Sequence, residues 1–218
     1  MWAAAEGRIP SREEFRAALE ARHGADWQRR AAAAEVAVCG LGGLGSHIAG
    51  ALARAGVGKL RLIDFDRVDV TNLHRQQYKA AQVGRYKTEA LQENLREIAP
   101  YVALDARTAR ITAENLPELL QGADIVCEAL DGAEDKAMLA DGVLAHFPRT
   151  YLIAASGMAG LGSANGIRTR KITDHFYLCG DGVSDAAELG SLYASRVMLC
   201  AAHQAHMVLR ILAGELDA

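Results

Sequence analysis

The sequence predicts an α/β fold: a doubly wound, mostly parallel sheet with an added antiparallel portion near the C-terminus and a helical N-terminal arm. In residues 35–64, an apolar run, a glycine turn, a helical pattern, a second apolar run and an acid follow one another. That order is typical of a Rossmann-like βαβ unit. Apolar runs and helical patterns then alternate up to residue 156, and a segment with period-two alternation follows at 166–172.

The composition is that of a globular protein with one main domain. Half of the 218 residues are apolar, which is enough for a two-sided α/β core. We expect residues 1–34 to form the arm and residues 35–218 one nucleotide-binding domain. The formal net charge of −3 gives no electrostatic case for nucleic acid, and no apolar run is long enough to span a bilayer. Residues 1–6 lack the basic-then-apolar order of a signal peptide, so we expect a cytoplasmic protein.

The four cysteines, at positions 39, 127, 179 and 200, do not form a C-x-x-C pair. A four-thiolate zinc knuckle is therefore not available. Cys39 and Cys127 lie in apolar, strand-like runs and are expected to be small buried hydrophobic residues.

The arm is predicted to be helical from Ser11 to about Ala34. Ser11 followed by Glu14 fits a capping box. Phe15, Leu19 and Trp27 supply a modest apolar stripe. This pattern favours an arm that packs on the surface or on a partner subunit, and it also places several arginines where they could reach a neighbour's phosphates.

The glycine turn predicts a nucleotide site. Gly40 can take a backbone angle closed to other residues, Gly42 lets the backbone approach a phosphate, and Gly45 lets the helix pack on the strand. The helix begins near Gly43, so its free N–H groups face the phosphate, and Asp64 can accept both ribose hydroxyls. The alternative is a tight turn without a ligand, and NAD, FAD and ATP are not separated by this segment alone.

The polar loop 66–76 follows the second strand at the carboxyl edge of the sheet, where ligands bind in open α/β folds. Residues 79–98 are predicted to be helical and to end before Pro100. Lys87 then lies in the early turns of that helix. Its ammonium group could point back at the phosphates or be a solvated surface charge.

A third strand is predicted at 101–105, a short helix at 113–120 and a buried fourth strand at 124–129. The fourth strand ends in Leu130-Asp131-Gly132, again at the carboxyl edge. A carboxylate facing phosphates can hold Mg²⁺. Asp131 could equally cap the next helix, at 133–145.

The C-terminal part contains a fifth predicted strand at 151–156, and an antiparallel strand at 166–172 that pairs with 177–179. Residues 180–190 are polar and glycine-bearing, as in a mobile connection that could cross over an active site. A long apolar helix is expected at 191–212. Its His203 and His206 have a spacing that can bind metal, but no third ligand is apparent.

Five ordered motifs together resemble the ThiF/MoeB superfamily, the adenylating enzymes related to ubiquitin-activating enzymes. The motifs are Gly40-x-Gly-Gly-x-Gly45, Ile63-Asp-Phe-Asp-x-Val68, Asn72-Leu-x-Arg-Gln76, Val83-Gly84 with Lys87, and Glu128-Ala-Leu-Asp131. The similarity covers residues 35–212. The short length, with the segments 155–160 and 168–171, most resembles the compact form of ThiF.

This resemblance implies a ThiF-type adenylyltransferase that uses ATP and Mg²⁺. Its substrate would be the C-terminal Gly-Gly carboxylate of a small ubiquitin-like sulfur carrier (ThiS-like) in thiamine biosynthesis. Residue by residue, it implies that Asp64 binds the ribose, that Arg75 and Lys87 hold the phosphates beside Asn72, and that Asp131 holds Mg²⁺. The catalytic residues expected are Arg75, Lys87 and Asp131. The nucleotide-binding residues expected are Gly40, Gly42, Gly43, Gly45, Asp64, Asp66, Asn72, Arg75, Gln76 and Lys87.

The resemblance also implies a homodimer, with helix 192–212 and the arm as the natural interface. Many relatives carry two C-x-x-C zinc pairs, and their absence here predicts that there is no structural zinc. Many relatives supply an arginine in trans, a role open to Arg12 or Arg16. Some form a thioester or disulfide with the carrier, for which Cys179 is the only cysteine predicted near a loop.

Three other functions remain open at this point. Asp69-Val-Thr-Asn72 is shared with tRNA threonylcarbamoyladenosine dehydratases, so the enzyme could activate a tRNA-linked carboxylate or a small molecule, although the chain lacks a basic excess. An NAD-dependent oxidoreductase would need a proton donor beside the nicotinamide, and none is evident. A nucleotide-binding module without catalysis is disfavoured because Arg75 and Asp131 are both present.

Overall fold

The computed structural model describes residues 7–218; Met1–Glu6, whose sequence does not resemble a signal peptide, lie outside the described residues. Its strands are β1 Glu35–Cys39, β2 Lys59–Asp64, β3 Ala103–Thr108, β4 Ile125–Glu128, β5 Tyr151–Ala155, β6 Arg168–Lys171 and β7 Phe176–Gly180. Its helices are α1 Arg12–His23, α2 Ala25–Ala33, α3 Gly43–Ala55, α4 Lys87–Ile98, α5 Leu116–Leu120, α6 Ala133–His146, α7 Ala186–Leu189 and α8 Ala194–Ala213.

The strands form one sheet in the order β3-β2-β1-β4-β5-β7-β6. All neighbours pair in parallel except β6 and β7, which are antiparallel. The predicted doubly wound fold with an antiparallel C-terminal portion is confirmed. Because the strand order reverses between β1 and β4, a crevice forms at their carboxyl ends, where such folds bind ligands.

Apolar residues cover both faces of the sheet. On one face, α3 and α4 pack over β1, β2 and β3, and α8 packs against α3 and over β5, β6 and β7. Residues such as Leu52, Leu91 and Val208 form the core on this face. On the other face, α5 and α6 pack through Leu116, Leu139 and Val143. The central strands β1, β4 and β5 are buried on both sides for this reason, which is why they appear as short continuous hydrophobic runs in the sequence.

Several predicted boundaries differ from the structure: α5 begins at Leu116 and not at residue 113, and α8 begins at Ala194 and not at residue 191. Two further differences have a clear local cause. Helix α4 begins at Lys87 and not at residue 79, because Gly84 (φ +89°) turns the chain and its N–H donates to Val68 O at 2.8 Å. Strand β3 begins at Ala103 and not at residue 101, because Ala103 pairs with Lys59 and its N–H donates to Gly58 O at 2.9 Å.

The arm forms two helices that are separated at Gly24, whose φ is +88°. Ser11 and Glu14 form the predicted capping box. Helix α2 packs on this chain's own α8, and Gln28 Nε2 donates to Gly56 O at 3.1 Å. Between residues 7 and 218, no helix is both long enough and apolar enough to cross a membrane.

Candidate functional site

The glycine turn between β1 and α3 is built by two close backbone contacts. Gly40 has φ +90°, and a Cβ there would lie 2.5 Å from Ala129 O. A Cβ at Gly45 would lie 1.8 Å from Gly40 O. At Gly42 the nearest atom to a Cβ would be Gln76 Nε2, at 3.5 Å. Gly40 and Gly45 therefore serve the fold, whereas Gly42 leaves open space above the N-terminus of α3, where an anion is favoured.

Asp64, at the end of β2, is fixed against this turn. Its Oδ2 accepts from Leu41 N at 2.6 Å and its Oδ1 from Asp66 N at 2.7 Å. The side chain is buried, which raises the pKa of its carboxyl group, while nearby Lys87 and these hydrogen bonds oppose that shift. Tyr78 completes the turn, because its hydroxyl donates to Leu41 O at 2.7 Å.

Lys87, the first residue of α4, brings a cation to the same edge. Its Nζ lies 2.7 Å from Asp66 Oδ2 and 3.9 Å from Asp64 Oδ2. Lys87 is buried. The interpretation of Lys87 as a solvated surface charge is therefore wrong. The early start of α4 places its ammonium group beside the glycine turn.

Arg75 and Gln76 approach the turn from the loop after β2. The Arg75 guanidinium lies 3.3 Å from His74 Nε2, and no carboxylate of residues 7–218 lies within ion-pair distance of it. Gln76 is buried, and its Oε1 has no hydrogen-bond partner among the described residues. Both side chains therefore keep polar groups available to a ligand.

Asp131 lies on the opposite side, after β4. Its side chain is exposed and has no hydrogen-bond partner among residues 7–218. Helix α6 has Gly132 at its N-cap, without a side-chain cap hydrogen bond. Asp131 therefore does not cap α6 and keeps its carboxylate free at the rim.

These groups line one cavity of about 680 Å³ at the carboxyl edge of the sheet. That volume is in the range of small-molecule and cofactor sites. The predicted residues that line the cavity are Gly40, Gly42, Gly43, Asp64, Asp66, Asn72, Arg75, Gln76, Lys87 and Asp131. The structure thus brings together every predicted site residue except Gly45, which packs beneath the turn.

The far wall of the cavity contains the predicted crossover segment, together with residues that sequence reasoning did not identify as site residues. Lys136 lies at its floor, and residues 156–159 and 182–186 form its side. Arg196 fixes this side by bonding to Gly162 O and to the Asp181 carboxylate. The only signal in the sequence was the glycine-rich, polar character of these segments.

The structure bears on two minor possibilities that the sequence raised, a nucleophilic Cys179 and a metal site at His203 and His206. Cys179 lies fully buried in β7, and burial raises the pKa of its thiol to about 11. The hypothesis that it is a loop-proximal nucleophile is therefore wrong. His203 Nδ1 lies 2.9 Å from Thr169 Oγ1. In the part of the chain that the structure describes, no three His, Cys, Asp or Glu side chains form a metal-binding group.

Neither arginine proposed to act in trans lines this chain's cavity. Arg12 stacks over the Tyr101 ring at 5.3 Å, and Arg16 pairs with Glu20 at 3.3 Å. A role for either one in a neighbouring subunit stays a prediction.

The chain is similar in sequence to a known protein family and to several characterised enzymes. A family model described as the ThiF family matches residues 16–217. The sulfur carrier protein adenylyltransferase of Thermus thermophilus is 37% identical over 131 residues, which is 60% of this chain and 43% of that protein. The tRNA threonylcarbamoyladenosine dehydratase of Haemophilus influenzae is 39% identical over 108 residues, which is 49% of this chain and 41% of that protein.

The same fold occurs in a solved structure. The E. coli tRNA N6-threonylcarbamoyladenosine dehydratase TcdA, in complex with ATP, superposes with a TM-score of 0.83 over 95% of this chain and 98% of that one. The identity is 22%, so this likeness shows the fold alone. The chain spans less than half the length of the two curated relatives above.

Proposed function

The chain belongs to the ThiF family, and on that premise we propose that it uses ATP to adenylate the C-terminal carboxylate of a small ubiquitin-like sulfur carrier. The observation that carries this proposal is the pairing of cations and carboxylates around one cavity. Lys87 and Arg75 face the glycine turn, while Asp64 and Asp131 lie on either side of it. A nucleoside triphosphate needs this combination, because cations hold its phosphates and a carboxylate can hold its ribose.

The nucleotide is proposed to lie along the crevice between β1 and β4. Its phosphates would sit over Gly42 and the N-terminus of α3, where the space is open and the helix dipole favours an anion. Asp64 keeps lone pairs for ribose hydroxyls, since each of its oxygens accepts one backbone hydrogen bond. Gln76 Oε1 and Asn72 add polar contacts at the same wall.

In the proposed reaction, the carrier carboxylate attacks the α-phosphorus of ATP. A bond forms between the carboxylate oxygen and that phosphorus, and the bond to the bridging oxygen breaks, so that pyrophosphate leaves. No general base is needed, because the attacking carboxylate is already ionised near neutral pH. The protein's task is to bring two anions together, and positioned cations such as Arg75 and Lys87 stabilise the charge that builds on the phosphate oxygens.

Asp131 fits the role of the metal ligand. Its carboxylate is exposed at the cavity and unpaired within residues 7–218. Mg²⁺ is usually held by one or two carboxylates together with substrate phosphates, so a preformed cluster of three protein ligands is not required. When bound there, Mg²⁺ would neutralise charge on the phosphates.

The carrier is proposed to be ThiS-like, serving thiamine biosynthesis, and the active form to be a homodimer. Two sequence features support the pathway: the segments 155–160 and 168–171 resemble the compact form of ThiF. In the structure, the first lines the cavity and the second forms edge strand β6. The Thermus thermophilus relative is named for a sulfur carrier substrate.

The test is carrier-dependent ATP–pyrophosphate exchange in the presence of Mg²⁺. We expect exchange with a ThiS-like carrier that ends in Gly-Gly, and none with the same carrier lacking its final residue. Arg75→Ala should lower exchange by about 100-fold or more, because it removes a cation from the charge that develops. Asp131→Asn should lower it as well. The matched controls are Arg54→Ala and Asp141→Asn, two exposed side chains that do not line the cavity.

A second candidate is ATP-dependent activation of a tRNA-linked threonylcarbamoyladenosine carboxylate. The observation that favours it is the Haemophilus influenzae dehydratase relative, together with the shared Asp69-Val-Thr-Asn72. ATP turnover that requires modified tRNA and ignores every Gly-Gly carrier would support this candidate and contradict the first one.

A further inference from the structure

The sheet opens at the base of the cavity, between β4 and β5. Their ladder ends at the pair Cys127–Ile153. Strand β4 meanwhile continues along β1, because Ala129 N donates to Cys39 O at 2.8 Å. The two strands therefore separate at their carboxyl ends, and each leads directly into a loop that lines the cavity.

Two charged side chains bridge this opening. Glu128 Oε1 accepts from Leu130 N at 2.7 Å, on the β4 side, and Glu128 Oε2 lies 3.4 Å from Ala155 N, on the β5 side. Lys136 Nζ donates to Glu128 Oε1 and Oε2 at 2.9 and 3.0 Å, and to Ala155 O at 3.2 Å. The Glu128 carboxylate thus receives N–H groups from the two loops on either side of the cavity.

Helix α8 satisfies the backbone acceptors that the opening leaves free. Gln204 is fully buried, and its Nε2 donates to Glu128 O at 2.8 Å and to Ile153 O at 3.0 Å. One amide group therefore contacts both strands where they part. The opening is held by specific polar contacts and is not a gap in packing.

These contacts argue against Lys136 as a cation that binds phosphate. Its ammonium group has three N–H donors, and its Nζ lies within hydrogen-bond distance of three acceptors in the protein, the two Glu128 carboxylate oxygens and Ala155 O. It lines the cavity, but its charge is balanced by Glu128, whose side chain is only 1% exposed. Lys136 is therefore not a free cation for phosphate, unlike Arg75.

A buried ion pair is a costly way to stabilise a fold. Removing both charges from water offsets much of their attraction, and apolar residues of similar volume are often as stable. Burial also raises the pKa of the Glu128 carboxyl group, and Lys136 opposes that shift. The Glu128–Lys136 pair connects the loop after β4 to the end of β5 through hydrogen bonds, which apolar side chains could not form.

We propose that Glu128 and Lys136 are positioning residues that set the distance between Asp131 and the Ser156–Gly157 segment. Asp131 follows Leu130, whose N–H is held by Glu128, and Ser156 follows Ala155, whose N–H and C=O contact the pair. This inference rests on the proposed function, in which Asp131 holds the phosphate-bound metal. The pair then fixes where that metal sits relative to the opposite wall.

The test uses Lys136→Met, Glu128→Gln and the double variant, and measures ATP affinity with and without Mg²⁺. Supporting contacts to a metal ligand typically change metal affinity by about 10-fold or more. We therefore expect Lys136→Met to remove most of the affinity gained from Mg²⁺ while metal-free ATP affinity is maintained. Amide hydrogen exchange should become faster in residues 129–133 and 155–158 only.

The double variant distinguishes positioning from simple loss of stability. It removes both charges, so it should regain the thermal stability that Lys136→Met loses by leaving Glu128 unpaired. The Mg²⁺-dependent gain in ATP affinity should remain lost. The matched control is Lys59→Met, which breaks the 3.0 Å Lys59–Glu35 pair at the opposite edge of the sheet and should leave both affinities unchanged.

A wild-type Mg²⁺ effect in Lys136→Met would overturn the proposal, and so would a parallel fall of both affinities in the double variant. These binding measurements need no carrier. If the wild-type protein shows no carrier-dependent exchange, the proposed function fails. The affinity ratio and the amide exchange would still decide whether the pair positions Asp131.

Discussion

Lys87 Nζ lies 2.7 Å from Asp66 Oδ2, so the cation expected to bind phosphate is already held by a carboxylate. The Lys87 side chain is 6% exposed, whereas that of Asp66 is 45% exposed. Asp66 can therefore turn into water at little cost when a phosphate takes its place. The Lys87 side chain is buried and stays in place. The ion pair therefore holds the ammonium group at the position where a phosphate is proposed to bind.

We expect Lys87→Met to lower both ATP affinity and the free energy of unfolding. Affinity falls because a phosphate contact is lost, and stability falls because Asp64 and Asp66 are left close together without a cation. Adding Asp66→Asn should restore part of the stability by removing one charge, but none of the affinity. Urea unfolding and ATP titration check the two effects, and recovery of affinity in the double variant would contradict a phosphate role for Lys87.

Two glycines of the same turn should respond differently to a methyl group. Gly45→Ala places a Cβ 1.8 Å from Gly40 O and should destabilise the fold by about 3 kcal/mol or more. Gly42→Ala meets only Gln76 Nε2 at 3.5 Å and should change stability by about 0.5 kcal/mol or less. The added methyl group lies where the phosphates are proposed to sit, so ATP affinity should fall by about 10-fold.

Thermal unfolding and ATP titration of both variants check this contrast. Gly50→Ala is the matched control, because it lies in the same helix and a Cβ there meets no atom within 4 Å. If Gly42→Ala bound ATP as the wild type does, the phosphates would not lie over the turn.

The sequence was most informative where the fold is local. Gly40, Gly45 and Asp64 belong to one βαβ unit, so strand, turn and acid appear in order along the chain and predict their own geometry. The sequence also predicted that Asp131 lies at the carboxyl edge, because it follows a buried strand. For Lys87 the residues left two alternatives open, and only the family resemblance favoured a contact with the phosphates. The start of α4 was misplaced, because the pairing of Gly84 with Val68 is a tertiary contact that helical periodicity does not report.

Contacts between distant segments could not be predicted in the same way. Tyr78 holds Leu41 across 37 residues, and Glu128 reaches Ala155 across 27. Neither residue type, nor its spacing, marks such a contact in a single sequence. Lys136 resembled any other charged helix residue until the structure placed it beneath the cavity.

All four cysteines are predicted to resist alkylation in the folded protein. Each is fully buried, and burial raises the pKa of the Cys179 thiol to about 11 and that of Cys200 to about 12. The thiolate is the reactive form, so iodoacetamide should label no cysteine of the native protein near neutral pH and all four after denaturation. Mass spectrometry of intact protein gives the count directly.

The same burial predicts that the reaction ends at the acyl-adenylate on this chain. Cys179→Ala should lose about 1 kcal/mol of stability and retain full carrier-dependent exchange. Sulfur would then reach the adenylate from a separate nucleophile. A covalent carrier–protein adduct that is lost in Cys179→Ala, but not in Cys200→Ala, would contradict this prediction.

Asp181, beside the wall of the cavity, is expected to make the stability of the folded protein depend on pH in the acid range. Burial by itself would raise the pKa of its carboxyl group, but hydrogen bonds from Ser184, Val183 and Arg196 outweigh burial and hold the pKa at about 2. An unfolded aspartate titrates near pH ~3.9. Because the folded pKa is the lower one, Asp181 contributes stability that is fully present above pH ~4 and is lost as the pH falls towards about 2.

We therefore expect Asp181→Asn to be less stable than the wild type near neutral pH, and the difference to shrink as the pH falls from about 4 to about 2. Urea unfolding across that range measures it. The matched control is Asp174→Asn, since the Asp174 side chain is 90% exposed and its pair with Lys171 should contribute little. The carboxylate of Asp181 accepts the bonds that hold residues 183 and 184 at the cavity wall. Loss of those bonds should also weaken carrier-dependent exchange, whereas a difference in stability that persists down to about pH 2 would show that the Asp181 charge does not hold the wall.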